Sequence, residues 1–267
     1  MRAGLRGRVL ILLAIAVALV AASVLTYRRV RAEAESEQRW SLVRARGGLR
    51  VGIDPSDKRF SYFTVEGWQG FDADLAREIA RRLGLALWVE PVGYDGVYDA
   101  LRSDRVDVSM SALIADPAQT ADYAFSVPYF DAGLVLVGGC RPNEAIPGCL
   151  SSKRLSVALG SDADRLARQW ERRAPNLVRI VFDEDRAALA ALNTQSDAAL
   201  VDGREVWQEL DALRGSNQAI VLVEARPYVL AARRSDGRLL AEINAILNAM
   251  QADGSLDGLS RKWLAPR

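Results

Sequence analysis

The chain of 267 residues contains no histidine. That removes Ser-His and Cys-His nucleophilic catalysis and the commonest zinc ligand, so hydrolase and zinc-enzyme readings lose their usual machinery. The groups left to do chemistry are carboxylates, guanidiniums, hydroxyls and aromatic rings, and no cofactor or metal motif emerges from them. Asp54 closes the strand-like run Leu49-Arg50-Val51-Gly52-Ile53, and Asp202 closes Asp197-Ala198-Ala199-Leu200-Val201. Each has a plain structural reading, Asp54 as a turn or capping carboxylate and Asp202 as the N-cap of a helix over 204–213. Gly160-Ser161-Asp162 opens a helix whose N–H groups suit an anion, although Asp162 works against one. The two cysteines, Cys140 and Cys149, bracket Arg-Pro-Asn-Glu-Ala-Ile-Pro-Gly, a stretch of turn formers. Outside the cytoplasm such a pair predicts a disulfide rather than two reactive thiols.

The elements that hold these residues read as α/β. Phe71, Leu75, Ile79 and Leu83 recur four apart, with Ala76 and Ala80 beside them and Arg77, Glu78, Arg81 and Arg82 on the other stripe, which predicts an amphipathic helix over 70–84. Asp72 and Asp74 complement its dipole, and Gly84 supplies a left-handed cap. With Leu49 to Asp54 before it and Ala86 to Pro91 after it, this is a βαβ unit. A hairpin turning near Glu66-Gly67 lies between strand and helix. Tyr94 to Leu101 and Val106 to Ser111 add a second helix and strand, and Gly133 to Gly138 is a buried strand that could leave this unit. Leu155 to Gly160, Val178 to Phe182, a helix over 186–192 and Asp197 to Asp202 form a second α/β unit, after which Ile220 to Val223 and Tyr228 to Ala232 return. Leu239, Ile243, Ile246, Leu247 and Met250 mark a long helix ended by Gly254. The expected division is 48–136 with 225–267 as the first lobe and 137–224 as the second, with the disulfide on the second lobe next to the hinge.

The N-terminus reads as a membrane or export signal. Arg2, Arg6 and Arg8 precede the seventeen uncharged residues Val9 to Leu25, and Arg28, Arg29 and Arg31 follow. Seventeen is the short end of the roughly 17 to 25 residues that span a bilayer. An uncleaved anchor over 1–29 is the reading taken, with a signal peptide cut near Val20-Ala21-Ala22 as the alternative; the globular part is exported in either case. Residues 30–47 then form a solvated helical stalk. Residues 1–47 carry +6, which leaves −5 on residues 48–267 and argues against a nucleic-acid partner.

Seven pieces in order resemble one family: Leu49 to Asp54, Gly70-Phe71-Asp72-Ala73-Asp74-Leu75, Val106 to Ser111, Phe125-Ser126-Val127-Pro128-Tyr129, Gly160-Ser161, Asp197 to Asp202, and Ala252-Asp253-Gly254-Ser255 with Lys262-Trp263-Leu264. Together they resemble the extracellular solute-binding proteins, family 3 type, of polar amino-acid ABC transporters. The resemblance implies a two-lobed periplasmic-binding fold of type II, the second lobe inserted into the first, closing on a small solute outside the cytoplasm. It implies ligand contacts at Asp54, Asp57, Tyr94, Ser111, Gln119, Ser161, Asp162 and Asp202, with Asp202 holding an α-ammonium.

One departure stands out. Where the family reads a ligand carboxylate with an arginine, this chain has Gln119, and a usual hydroxyl position falls on Ile114. A neutral amide cannot compensate a buried carboxylate, at a cost of several kcal/mol. Arg59 or Arg204 are the substitutes in view. The carboxylates Asp54, Asp57, Asp162 and Asp202 therefore predict a net-negative cleft, with Tyr94 as an aromatic wall, that prefers a cationic amine. The leading function is solute capture for a membrane transporter, and no enzyme. A membrane-anchored sensing or adaptor domain with a modified pocket is the alternative. A dehydratase on this fold is a third, and it needs the same missing arginine.

Overall fold

A short apolar strand and the amphipathic helix that follows it can hide their apolar faces only against each other and a neighbouring strand. The computed structural model describes residues 2–56, 59–141, 143–205, 209, 213 and 218–264. It starts with one continuous helix, α1 (Arg2–Arg46), which delivers the chain to β1 (Gly48–Ile53). The hairpin β2 (Tyr62–Thr64) and β3 (Gly67–Gln69) follows, then α2 (Phe71–Leu83) and β4 (Ala86–Pro91), which runs parallel to β1 with Val51 beside Val89. Phe71, Leu75 and Ile79 of α2 are buried against this sheet, and Gly84 ends the helix at φ 71°, a conformation that favours glycine. α3 (Val97–Arg102) leads to β5 (Val108–Met110), and β6 (Tyr123–Phe125) completes the outgoing half of the first lobe.

The chain crosses at β7 (Phe130–Asp131) and enters the second sheet with β8 (Leu134–Gly138), β9 (Arg154–Ala158), α4 (Asp162–Glu171), β10 (Val178–Phe182), α5 (Asp185–Ala190), β11 (Ala198–Asp202) and β12 (Ile220–Glu224). It returns through β13 (Pro227–Tyr228), which pairs antiparallel with β7, and adds β14 (Ala231–Arg233) to the first sheet before α6 (Gly237–Ala252) and α7 (Ser255–Leu264). The sheet orders are β4-β1-β5-β14-β6 and β10-β9-β11-β8-β12. Two sheets joined by a two-stranded crossing are the expected two-lobed α/β fold.

Three expectations are corrected. The lobe boundary set between 136 and 137 falls inside β8, all of which pairs with β11 and β12 in the second sheet. The crossing lies earlier, at Phe130 and Asp131, because the apolar run Leu134 to Val137 is buried as one strand and cannot be divided between two cores. The disulfide Cys140–Cys149 forms, with Cα atoms 5.5 Å apart, but not beside the hinge. It follows the Gly138 end of β8, whereas the Leu134 end faces Asp202 and the crossing.

The third correction concerns the stalk. Trp40 and Val43 of α1 are only 6% exposed and belong to the first lobe's core with Leu239, Leu240 and Ile243. Around them Arg39 pairs with Asp236 and with Asp104 (3.0 Å), Arg46 with Asp107, and Ser36 Oγ accepts the Arg238 N–H at 2.6 Å. The last turns of α1 are therefore part of the lobe, because Trp40 and Val43, which begin only three residues after the half-exposed Glu37, still find a groove between α6 and the sheet. Among the described residues, no helix is long and apolar enough to cross a membrane.

Candidate functional site

Parallel strands release their C-terminal ends at one edge of a sheet, and ligands of open α/β sheets bind in the crevice outside those ends. Asp54 follows β1 and Ser111 follows β5, two neighbouring strands, so they meet there. The Asp54 N–H donates to Ser111 Oγ (2.9 Å), Ser111 donates to the Met110 carbonyl, and the Ser56 N–H donates to Asp54 Oδ1 (2.9 Å). Next in the chain, Ala112 stands at φ 48°, a left-handed conformation that is strained for any residue with a Cβ. Its N–H donates to Asp72 Oδ2 (3.0 Å), and Tyr129 Oη donates to Asp72 Oδ1 (2.9 Å). Asp72 is fully buried, so beyond any effect on the helix dipole its carboxylate pins the strained turn that forms the cleft wall. Burial and the Asp72 charge hold the Tyr129 phenol well above its ordinary pKa.

The first-lobe wall comprises Asp54, Ser56, Phe60, Tyr94, Ser111 and Ala112, and Arg204 reaches it from the other lobe. Tyr94 opens a single 3-10 turn and is 50% exposed, so its ring is available to the cavity. Asp57 lies outside the described residues. Gln119 sits on the 3-10 turn Pro117–Gln119 and is not among the residues lining either wall, nor is Ile114.

The second-lobe wall comprises Leu134, Ser161, Asp162, Ala163, Asp185, Asp202, Arg204, Glu205 and Arg226. Ser161 caps α4 by accepting the Asp164 N–H (3.1 Å). Asp162 pairs with Arg226 (2.5 Å) and Arg165 (3.2 Å), and the Arg226 bond first, with Arg165, holds its carboxyl below the ordinary range. Asp202 accepts the Arg204 N–H on Oδ1 (2.8 Å), and its Oδ2 lies 3.8 Å from Arg226. The turn after Asp202 is tight: a Cβ on Gly203 would stand 1.9 Å from the Ala132 carbonyl oxygen, so only glycine lets β11 end against the crossing.

Two residues of this wall carry no sequence signal. Arg226 arrives from the return crossing, where its N–H donates to Asp131 Oδ1 (2.8 Å), and its guanidinium is 18% exposed among Asp162, Asp202 and Glu224. Asp185 opens α5 and accepts the Asp202 N–H at 3.3 Å. Its carboxyl is pushed up to about 6, first by burial and then by the charges of Asp202 and Glu205, although the Asp202 N–H pulls the other way. The lobes touch across the cleft where Arg59 donates to the Arg204 carbonyl (2.6 Å) and lies 3.3 Å from Glu205 Oε1.

Comparison with known proteins agrees with this architecture. The chain is 28% identical over 230 residues to the L-cystine-binding protein TcyJ of Escherichia coli K12, covering 83% of this chain and 84% of that protein. Among solved structures, an ancestral cationic amino acid solute-binding protein matches with a TM-score of 0.60 and 27% identity over 84% of this chain and 98% of that one. The L-cystine solute receptor of Neisseria gonorrhoeae, in its unliganded open conformation, shares the fold with a TM-score of 0.70 and 22% identity over 82% of this chain and 93% of that one. The model of the bacterial extracellular solute-binding proteins, family 3, matches residues 49–266. With both lobes inside that match, the chain belongs to the bacterial extracellular solute-binding proteins of family 3.

Proposed function

We propose that this protein captures a small, amino-acid-like solute bearing a cationic group in the cleft between its lobes and delivers it to an ABC-type permease. The observation that carries this reading is the charge of the cleft walls. Their described residues place Asp54, Asp162, Asp185, Asp202 and Glu205 against Arg204 and Arg226, with the rings of Phe60 and Tyr94 on one side. A carboxylate facing an aromatic ring suits a cationic head group, which gains from both. Asp54 and Tyr94 on one wall and Asp202 on the other are the proposed contacts, with Asp202 taking an ammonium. Ser111 and Ser161 serve to shape the walls, since Ser111 ties β1 to β5 and Ser161 caps α4. The relatives named for cystine and for cationic amino acids support an amino-acid-like solute. Delivery outside the cytoplasm follows from the family, and retention on the membrane by Val9 to Leu25 is a finer proposal that rests on the sequence pattern and its flanking arginines.

Isothermal titration calorimetry of the full chain with L-arginine, L-cystine, L-glutamine and L-glutamate tests the reading. The expected result is binding of L-arginine or L-cystine at least about 10-fold tighter than L-glutamate. Tighter binding of L-glutamate than of the other three would refute the charge argument.

A further inference from the structure

An amino-acid-like solute brings a carboxylate into a cleft whose described charges are mostly negative, and some cation has to receive it. Arg226 is largely buried among three carboxylates, which use its guanidinium from several sides. Arg204 differs in placement. Among the described residues it is the one that lines both walls of the cleft, its side chain is 39% exposed, and it stands two residues after Asp202 in the same turn.

What Arg204 does in the structure indicates what it is built to hold. Its Nε and Nη2 both lie 3.1 Å from Glu205 Oε1, and Arg59 Nη2 from the opposite lobe lies 3.3 Å from the same oxygen and 3.4 Å from Oε2. Two guanidiniums, one from each lobe, thus converge on one carboxylate between the lobes. That carboxylate belongs to the protein itself and is carried on a side chain 38% exposed. Arginine forks suit planar carboxylates, and a pair of them drawn together from two lobes forms a carboxylate site between the lobes.

We infer that Arg204 and Arg59 form the carboxylate-reading subsite of the cleft, and that the carboxylate of the solute displaces that of Glu205 from it. This rests on the solute-binding reading above. Carboxylate recognition is then divided between the lobes, and ammonium recognition at Asp202 lies on the same short turn as Arg204. The exchange conserves charge: one carboxylate leaves the two guanidiniums for solvent as another enters.

The test uses pairs of probes with and without carboxylates, L-arginine (one) against agmatine (none) and L-cystine (two) against cystamine (none), titrated calorimetrically into the full chain and its variants. The wild-type protein should prefer the carboxylated member of a pair by at least about 10-fold, the usual worth of a charge-assisted fork. Arg204→Gln should reduce that preference to about 3-fold or less, mostly by weakening the carboxylated probe. Glu205→Gln, which removes the internal competitor and leaves both guanidiniums, should enlarge it. Thermal unfolding of each variant checks that it is folded, and Arg204→Lys, which keeps the charge without the fork, should fall between wild type and Arg204→Gln. An unchanged preference in Arg204→Gln, a reduced one in Glu205→Gln, or wild-type preference for agmatine or cystamine would overturn the inference while leaving solute binding intact. Absence of heat from all four probes with the wild-type protein would overturn the solute-binding reading and the inference with it.

Discussion

Asp185 shows what a cleft of carboxylates costs at one residue. Its folded-state pKa of about 6 lies above the ordinary carboxyl value, with burial the first cause. Between about pH 4 and 6 the folded protein therefore binds a proton that the unfolded chain has already lost, so stability falls as pH rises through that window. Asp185→Asn keeps an oxygen to accept the Asp202 N–H and removes the charge. It should raise stability at pH 7 by about 1 kcal/mol, discounted for solvent screening, and by nothing at pH 4. Denaturant unfolding at the two pH values checks this, and an equal effect at both would show that the charge is not the cause. Nothing in the sequence marked Asp185, because its importance comes from Asp202, seventeen residues away, whose N–H it accepts. The acids that end strands, Asp54 and Asp202, were legible because a strand terminus can be read from periodicity.

At the scale of elements, the periodic helices and apolar strands were legible and the joints between them were not. The 3.6-residue stripe of α2 and the buried runs of β1, β8 and β11 stand where their patterns put them. The stripe cannot tell which other helix will share its groove, and so the end of α1 read as solvated although Trp40 and Val43 enter the core. A large side chain in a core contributes several kcal/mol, and Trp40→Ala should destabilise the protein by about 3 kcal/mol. A fragment beginning at Ala32 should unfold at the temperature of the full chain, and one beginning at Gly48, where the family match nearly starts, should unfold well below it. Differential scanning calorimetry of the three proteins separates these outcomes; equal transitions would mean that α1 adds nothing to the lobe.

For the whole molecule, the two lobes meet through the β7–β13 ribbon and through Arg59, which reaches the Arg204 carbonyl and Glu205. The ribbon is covalent and short, while the arginine is a polar contact that can be made and broken, so it biases the lobes toward closure without fixing them. Arg59→Gln should shift the population toward open forms, seen in small-angle X-ray scattering as a larger radius of gyration without added solute. An unchanged radius would mean that the ribbon alone sets the angle. Two lobes with two crossings were legible from the order of strands, and the site's arginines only partly so. Arg204 follows a recognisable turn, whereas Arg226 reaches Asp162 and Asp202 only because β12 and β13 bring the chain back past β11.

The docking of α1 has a further consequence. A helix that passes unbroken from Arg2 to Arg46 and is clamped at Trp40 and Val43 transmits rotation as well as position. Each residue added or removed upstream of Ser36 would turn the N-terminal portion by about 100° around the helix axis relative to the cleft, while seven added together return it to within about 20° of its starting azimuth. The azimuth of the first turns of α1 relative to the cleft is thus written into the number of residues between them and Trp40, and a one-residue insertion there would present a different face of the helix on the cleft side.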